Sequence, residues 1–311
     1  MKNIVSWAIL LGLVLVWGSS FILIKKSLLY FTSDEVGVLR IVITFLFLLP
    51  LAILKIKKVD KRTSWTLLIS GIIGSVIPSW LFATAQTQIG SSMAGTLNAL
   101  TPLFTLIIGV LFFNLRTRWY NVLGVFIGLV GAVGLIYASS HTGLETNIKY
   151  SLLVVVATLC YAINVNLIKT YLSHLDSLTI TALTFFFVGI PLTMFILFAS
   201  DVPSNLINKP ETLVGLGYLS ILSVIGTALA LIAFNKLIKT NSPVFASSVT
   251  YLIPVVAIAW GIIDGEVFKL TYAFWFTIII LGVFLVNAKP ITYSKLLFRK
   301  RKARDINSDR N

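Results

Sequence analysis

From end to end, the 311-residue chain alternates long apolar stretches with short polar joints. Ten stretches read as helices that cross a bilayer, at approximately 4–24, 36–54, 65–85, 92–113, 119–138, 149–169, 178–199, 213–235, 243–263 and 272–288. A crossing helix needs about 20 mostly apolar residues. The stretches are too long for single barrel strands and lack strict alternation, so helices are expected. Little remains for a soluble domain, because the joints are short and the tail is about 20 residues. The pattern predicts an all-α integral membrane protein with ten transmembrane helices.

The stretches also repeat. Ser92-Met93-Ala94-Gly95-Thr96-Leu97-Asn98-Ala99-Leu100-Thr101-Pro102-Leu103, followed by Gly109, returns 152 residues later as Val244 to Val255, followed by Gly261. Gly74 pairs with Gly226 and Phe82 with Phe234 at the same offset. Nearer the start of each half, Trp17-Gly18 aligns with Tyr161-Ala162, and Lys25 with Lys169, at an offset of 144. The change of offset places an insertion in the second half, around Asp201–Glu211. The chain thus divides into a first five-helix repeat (1–138), a connecting loop (139–148), a second five-helix repeat (149–288) and a basic tail (289–311). Because each half holds an odd number of spans, the second inserts upside down: a five-plus-five inverted repeat. In carriers built this way, breaks at equivalent positions of the halves point to the substrate site. Pro102 and Pro254 are such positions, since each removes a backbone hydrogen bond, and both are expected to act as conformational hinges.

Composition agrees with the pattern. Hydrophobic residues make up 57% of the chain and charged residues 12%, about half the charge of a soluble protein. A net charge of +14 would suggest nucleic acid in a soluble chain, but its placement argues for a membrane. With the N-terminus inside, 19 of the 25 Lys and Arg fall on inner joints and the tail. Only 5 (Lys25, Lys26, Lys149, Lys209 and Lys269) fall outside, and Arg40 lies within span 2. The positive-inside rule then predicts a multi-pass inner-membrane protein with both termini cytoplasmic. Arg299-Lys300-Arg301-Lys302 reads as a topology anchor near anionic headgroups. The expected partners are the lipid bilayer and a small-molecule substrate, with no nucleic acid. Span 1 is too apolar over too great a length for a signal peptide, and only Lys2 precedes it, so it is expected to be retained. Cys160 is the one cysteine, which excludes an intrachain disulfide; neither metal nor cofactor is expected.

Several motifs carry a family likeness. Trp17-Gly18-Ser19-Ser20-Phe21 resembles the "WGsnF" opening of EamA-type transporters in the drug/metabolite transporter superfamily. Arg40, the small-residue start of span 4 leading to Leu100-x-Pro102, and the matching Leu252-x-Pro254 fit that pattern. Gly265-Glu266 is similar to the dipeptide that often closes the ninth span, and Gly124, Gly128 and Gly131 fit a Gly-rich fifth helix. The likeness runs over about residues 4–288, with one departure: Phe113-Asn114 stands where the first half would carry Gly-Glu. The resemblance implies an inverted-repeat exporter of small metabolites or amino acids. Its alternating-access cavity would be lined mainly by spans 1, 3, 4, 6, 8 and 9.

Polar side chains within spans are the candidate ligands, because an unpartnered one costs several kcal/mol in hydrocarbon. Asn98 lies four residues before Pro102; Thr250 is its repeat partner, with Tyr251 beside it. Asn164 and Asn166 punctuate span 6, and Gln86 ends span 3. Trp17, Trp80, Tyr161 and Phe234 suggest an aromatic wall, whereas Trp7, Trp65, Trp119 and Trp275 suit the interface belt. The expected substrate-binding residues are Trp17, Gln86, Asn98, Tyr161, Asn164, Phe234 and Tyr251. Interhelical hydrogen bonding is the plainer role for the polar members, and close packing for the span 5 glycines. Arg40 is expected to snorkel outward to a cavity mouth, and Lys236 to sit at the inner one. No Asp or Glu occupies the middle of a span, and His141 and His174 lie in loops, which disfavours proton antiport. Central basic residues suited to a phosphorylated solute are not expected either. A neutral, zwitterionic or amphipathic solute fits best. No carboxylate or His cluster suits catalysis, so an enzyme is not expected. The alternative to a carrier is a non-transporting scaffold or lipid-handling protein.

The charge asymmetry generates a topology prediction. In a Cys160→Ala background, Thr142→Cys should react with an impermeant thiol reagent added from outside. Protection at Thr142 with labelling of the tail would reverse the orientation.

Overall fold

In hydrocarbon each backbone N–H and C=O must find its partner within the protein, which favours helices over open sheet. The structure, a computed structural model, describes residues 2–115, 118–140, 148–241, 246, 248–266 and 269–287. Among these the chain is helical, with no strand. The helices are α1 (Lys2–Ser27), α2 (Ser33–Lys55), α3 (Lys61–Ala85), α4 (Ser91–Phe112) and α5 (Trp119–Ser140). They continue as α6 (Ile148–Tyr171), α7 (Ser177–Ala199), α8 (Thr212–Thr240), α9 (Val249–Ile263) and α10 (Leu270–Asn287). Seven of them, α1 to α4 and α6 to α8, are long and apolar enough to cross a membrane; α5, α9 and α10 carry shorter apolar stretches. Among the described residues all ten segments expected from the sequence therefore contain helix, seven of them long and apolar enough to span. The expected insertion contains a short helix, Val202–Asn208. The tail 289–311, residues 141–147 of the connecting loop, and Val244, Phe245 and Ser247 of the second repeat copy lie outside the described residues.

Local signals set the helix starts. Thr32 and Glu35 form a reciprocal capping box at α2, satisfying two of the amides a helix leaves open at its N-terminus. Asp60 and Asp176 cap α3 and α7 through the amides of Thr63 and Thr179.

Four helices depart from regular α geometry among the described residues. A π-helical segment, Ile72–Val76, lies inside α3, and another, Val224–Leu229, begins 152 residues later inside α8. A 3-10 turn, Asn98–Leu100, divides α4, and Ser248–Tyr251 forms the matching turn at the start of α9. Each 3-10 turn leads into a helix whose second residue is Pro102 or Pro254. Proline is tolerated there because the first helical amides lack intrahelical acceptors. The prolines thus open fresh helical segments after a tighter turn.

Packing follows the same correspondence. Helix α1 packs on α8 and α9, while α6 packs on α3 and α4; α2 meets α7, α4 meets α9, and α5 meets α10. The α5–α10 seam depends on glycine, since a Cβ on Gly282 would stand 2.3 Å from the Gly128 amide nitrogen. This is the close backbone approach expected of the span 5 glycines. Large side chains on the outer faces, such as Leu46, Phe126, Phe198 and Phe284, are exposed, as suits a surface wetted by lipid.

Where α1 ends, one carboxylate ties three elements together. Glu266, just beyond α9, accepts hydrogen bonds from Ser91 N (2.8 Å), Ser91 Oγ (2.8 Å), Ser92 N (3.1 Å) and Ser92 Oγ (2.6 Å) in the first turn of α4. Lys25 of α1 pairs with it at 2.8 Å and with Asp264 at 2.8 Å; Lys26 also pairs with Asp264. An anion here also complements the positive end of the α4 dipole. Gly265, at φ +85°, makes the left-handed turn into Glu266. The repeat-related lysine finds different partners. Lys169 donates to the carbonyls of Ile238 (2.9 Å), Lys239 (3.0 Å) and Asn241 (2.7 Å) at the C-terminal end of α8. Asn114, at the repeat position of Glu266, bears no charge that could hold Lys169 in the same way.

Burial alone would raise the Glu266 carboxyl, but Lys25 and the Ser91 and Ser92 donors overcome it and hold the group at about 2, against an ordinary 4.5. A lowered native value means stability present above the ordinary value and lost as pH falls toward the native one. The melting temperature of the detergent-solubilised protein should therefore drop between about pH 4.5 and 2. Glu266→Gln should be less stable at neutral pH and show a smaller drop. An identical pH profile in the variant would refute the tie.

Candidate functional site

The main cavity lies where the broken helices converge, lined chiefly from α1, α2, α3, α6, α7 and α8, with Asn98 and Thr101 from α4 and Thr250 from α9. Two aromatic pairs form much of its wall. Trp17 meets Phe234 edge-on with centroids 4.9 Å apart, and Tyr161 stacks on Phe82 at 5.9 Å. These pairs are repeat mates, since Trp17 corresponds to Tyr161 and Phe234 to Phe82. Phe21 extends the second pair, edge-on to Phe82 at 5.5 Å.

The polar part of the wall grows from the π-helical segments. A wide turn releases carbonyls from the regular ladder, and side chains supply the missing donors. Thr227 Oγ1 donates to the carbonyl of Leu222 (3.0 Å), five residues back, while Trp17 Nε1 crosses from α1 to the carbonyl of Gly226 (2.9 Å). In α3, Ser70 Oγ donates to Asn164 Oδ1 of α6 at 2.6 Å. Asn164 rests on Gly74, where a Cβ would stand 2.0 Å from its Nδ2. At the 3-10 turn, Thr101 Oγ1 donates to the carbonyl of Asn98 (2.7 Å). Two lining side chains keep unmatched oxygens among the described residues: Thr184 Oγ1, and Asn235 Oδ1, whose Nδ2 donates to Thr181 Oγ1 at 3.0 Å.

Of the residues expected from sequence, Trp17, Asn98, Tyr161, Asn164 and Phe234 come together on this wall. Gln86 and Tyr251 do not. Gln86 is buried at the end of α3 with its amide unmatched, away from the cavity, and Tyr251 sits half-buried in the 3-10 turn beside Thr250, which does reach it. Trp80 leaves the expected aromatic wall altogether: it is 46% exposed and donates to Asp34 Oδ1 at 2.5 Å. Asn166 serves packing, donating to the carbonyls of Thr105 (3.0 Å) and Ala162 (2.9 Å).

Arg40 needs a correction. It does not snorkel to a mouth but turns into the cavity, where its Nε donates to Thr227 Oγ1 at 2.9 Å. The hydroxyl of a π-helical segment is an acceptor that distance along α2 could not reveal. The wall therefore carries one basic group where none was expected. The repeat map held a usable signal, because Arg40 aligns with Thr184 and Ser20 with Asn164 at the offset of 144, and all four line the cavity. Among the described residues, no three His, Cys, Asp or Glu side chains gather closely enough to hold a metal ion.

Comparison with known proteins follows this geometry. The EamA-like transporter family matches residues 5–137 and 148–288. An uncharacterized transporter of Archaeoglobus fulgidus is 25% identical over 288 residues, covering 91% of this chain and 99% of its own. The uncharacterized inner membrane transporter YedA of Escherichia coli K12 is 25% identical over 295 residues, covering 91% of this chain and 92% of its own. A solved crystal structure shares the fold with a TM-score of 0.60 at 15% identity, over 91% of this chain and 96% of that one.

Proposed function

The chain belongs to the EamA-like transporter family and is a multi-pass membrane transporter, and from that premise we propose that it exports small organic metabolites, amino acids foremost, by alternating access. In this reading residues 1–138 and 149–288 are inverted repeats of five spans each, with both termini cytoplasmic. The observation that carries the reading is the coincidence of four helix breaks, at matched positions, with one cavity walled by matched aromatic pairs.

Each group then has a role. Trp17–Phe234 and Phe82–Tyr161 close on the apolar body of the solute from two sides. Asn98 and Asn164 offer it hydrogen bonds. The turns before Pro102 and Pro254, with the π-helical segments of α3 and α8, are the hinges about which the halves rock, because their ladders are already interrupted. The Glu266 tie holds the end that the charge asymmetry assigns to the outside, and Lys169 holds the other. Among the described residues the cavity lining includes no carboxylate or histidine, and in this reading transport follows the solute gradient or an exchange partner and does not require a proton.

Counterflow of labelled amino acids in proteoliposomes, with no pH gradient, tests the reading. Asn164→Ala should raise the apparent KM roughly tenfold, equivalent to about 1.4 kcal/mol of lost binding, besides a Tm loss of the size that one interhelical bond, to Ser70, accounts for. Asn166→Ala should lower Tm, at a cost of about 0.6 kcal/mol for an average interhelical bond, and leave KM unchanged. No counterflow of any amino acid, or flux that strictly needs a pH gradient and disappears with Glu266→Gln, would sink it.

A further inference from the structure

Among the described residues, Arg40 is the only charged one on the cavity wall. Its one hydrogen bond runs from Nε to Thr227, and no carboxylate lies within ion-pair reach among the described residues. The Nη groups of the guanidinium thus have no protein acceptor there. Arg40 is half-buried, and its charge must be paired to avoid a desolvation cost when a solute takes the place of water beside it; Arg in a spanning helix ordinarily pairs or escapes to the interface. This one does neither.

We infer that Arg40 anchors the carboxylate of the transported solute, so that the carrier takes organic carboxylates and zwitterions in preference to amines or neutral amides. The inference rests on the transport reading and names the substrate class of that same cavity. A guanidinium held through Nε presents its remaining donors as a planar fork, which matches the two oxygens of a carboxylate. Pairing also neutralises the cavity, since one positive wall group meets one negative solute group. A solute bearing only an ammonium would instead add a second positive charge with no carboxylate to receive it. Selection continues along the wall. The aromatic pairs suit an apolar or aromatic body, which admits aromatic amino acids alongside simple aryl carboxylates.

Four probes sharing a phenyl ring separate the charges: phenylacetate, phenylacetamide, 2-phenylethylamine and L-phenylalanine. Phenylacetate and L-phenylalanine should raise the melting temperature of the purified wild-type protein; the amide, the amine, and chloride or phosphate at equal ionic strength should not. Arg40→Gln should weaken the phenylacetate response by roughly tenfold or more, and Arg40→Lys should retain part of it. The wild-type comparison needs no variant, so a misfolded Arg40→Gln protein does not remove the test. Equal responses to acid and amide, stabilisation by inorganic anions as strong as by phenylacetate, or a folded Arg40→Gln protein that responds like wild type would each overturn the anchor. Proteoliposome flux separates the two readings. Flux that ignores the carboxylate leaves transport standing and removes the anchor, whereas an Arg40-dependent melting shift without flux of any probe keeps the anchor and removes transport.

Discussion

Everything in this structure depends on one constraint: a peptide group placed in hydrocarbon must find its hydrogen-bond partner inside the protein. Regular helix meets that demand locally and leaves nothing over for a solute. The cavity exists where four helices depart from regularity, and side chains from elsewhere make up the difference. Thr227 reaches back to the carbonyl of Leu222, Trp17 crosses from α1 to Gly226, and Thr101 closes on Asn98. Each substitution of a side-chain donor for a backbone one fixes a polar or aromatic group at the wall. The site is thus a by-product of repairing broken helices, and the geometry of the breaks decides which residues face the cavity.

Much of the architecture was legible because hydrophobic length and internal repetition are strong signals. Among the described residues helices fall within the apolar stretches, and the short helix Val202–Asn208 lies within the stretch Asp201–Glu211. Three of the five residues of the motif in span 1, Trp17, Ser20 and Phe21, also line the cavity. Other details were not legible, for a geometric reason. A step of one residue turns a helix face by about 100–120°, so Thr250 reaches the cavity while the chemically richer Tyr251 beside it does not. Sequence reasoning favoured the residue with more chemistry. Gln86 was misplaced similarly, because the end of a span says little about the direction of its side chain. Arg40 was missed because its partner, Thr227, is 187 residues away, and a rule based on depth in one helix cannot see an acceptor on another.

The two halves match closely in their breaks and aromatic pairs but differ in how their lysines are held. Lys25 meets two carboxylates, whereas Lys169 meets three backbone carbonyls. The difference follows from Glu266 on one side and Asn114 on the other. A charge pair with four further hydrogen bonds to the start of α4 is a stronger and more pH-sensitive fastening than an ammonium resting on the end of α8.

That inequality has a kinetic meaning. A carrier running down a gradient cannot favour one direction at equilibrium, however unequal its two gates. Microscopic reversibility requires the ratio Vmax/KM to be the same from either face. Unequal fastenings therefore show themselves only in paired form: the face whose gate opens reluctantly displays a different KM and a Vmax altered by the same factor. In the facilitated carrier proposed above, Asn114 standing opposite Glu266 in the repeat would leave net direction to the concentrations of solute and make the resting occupancy of the two faces lopsided.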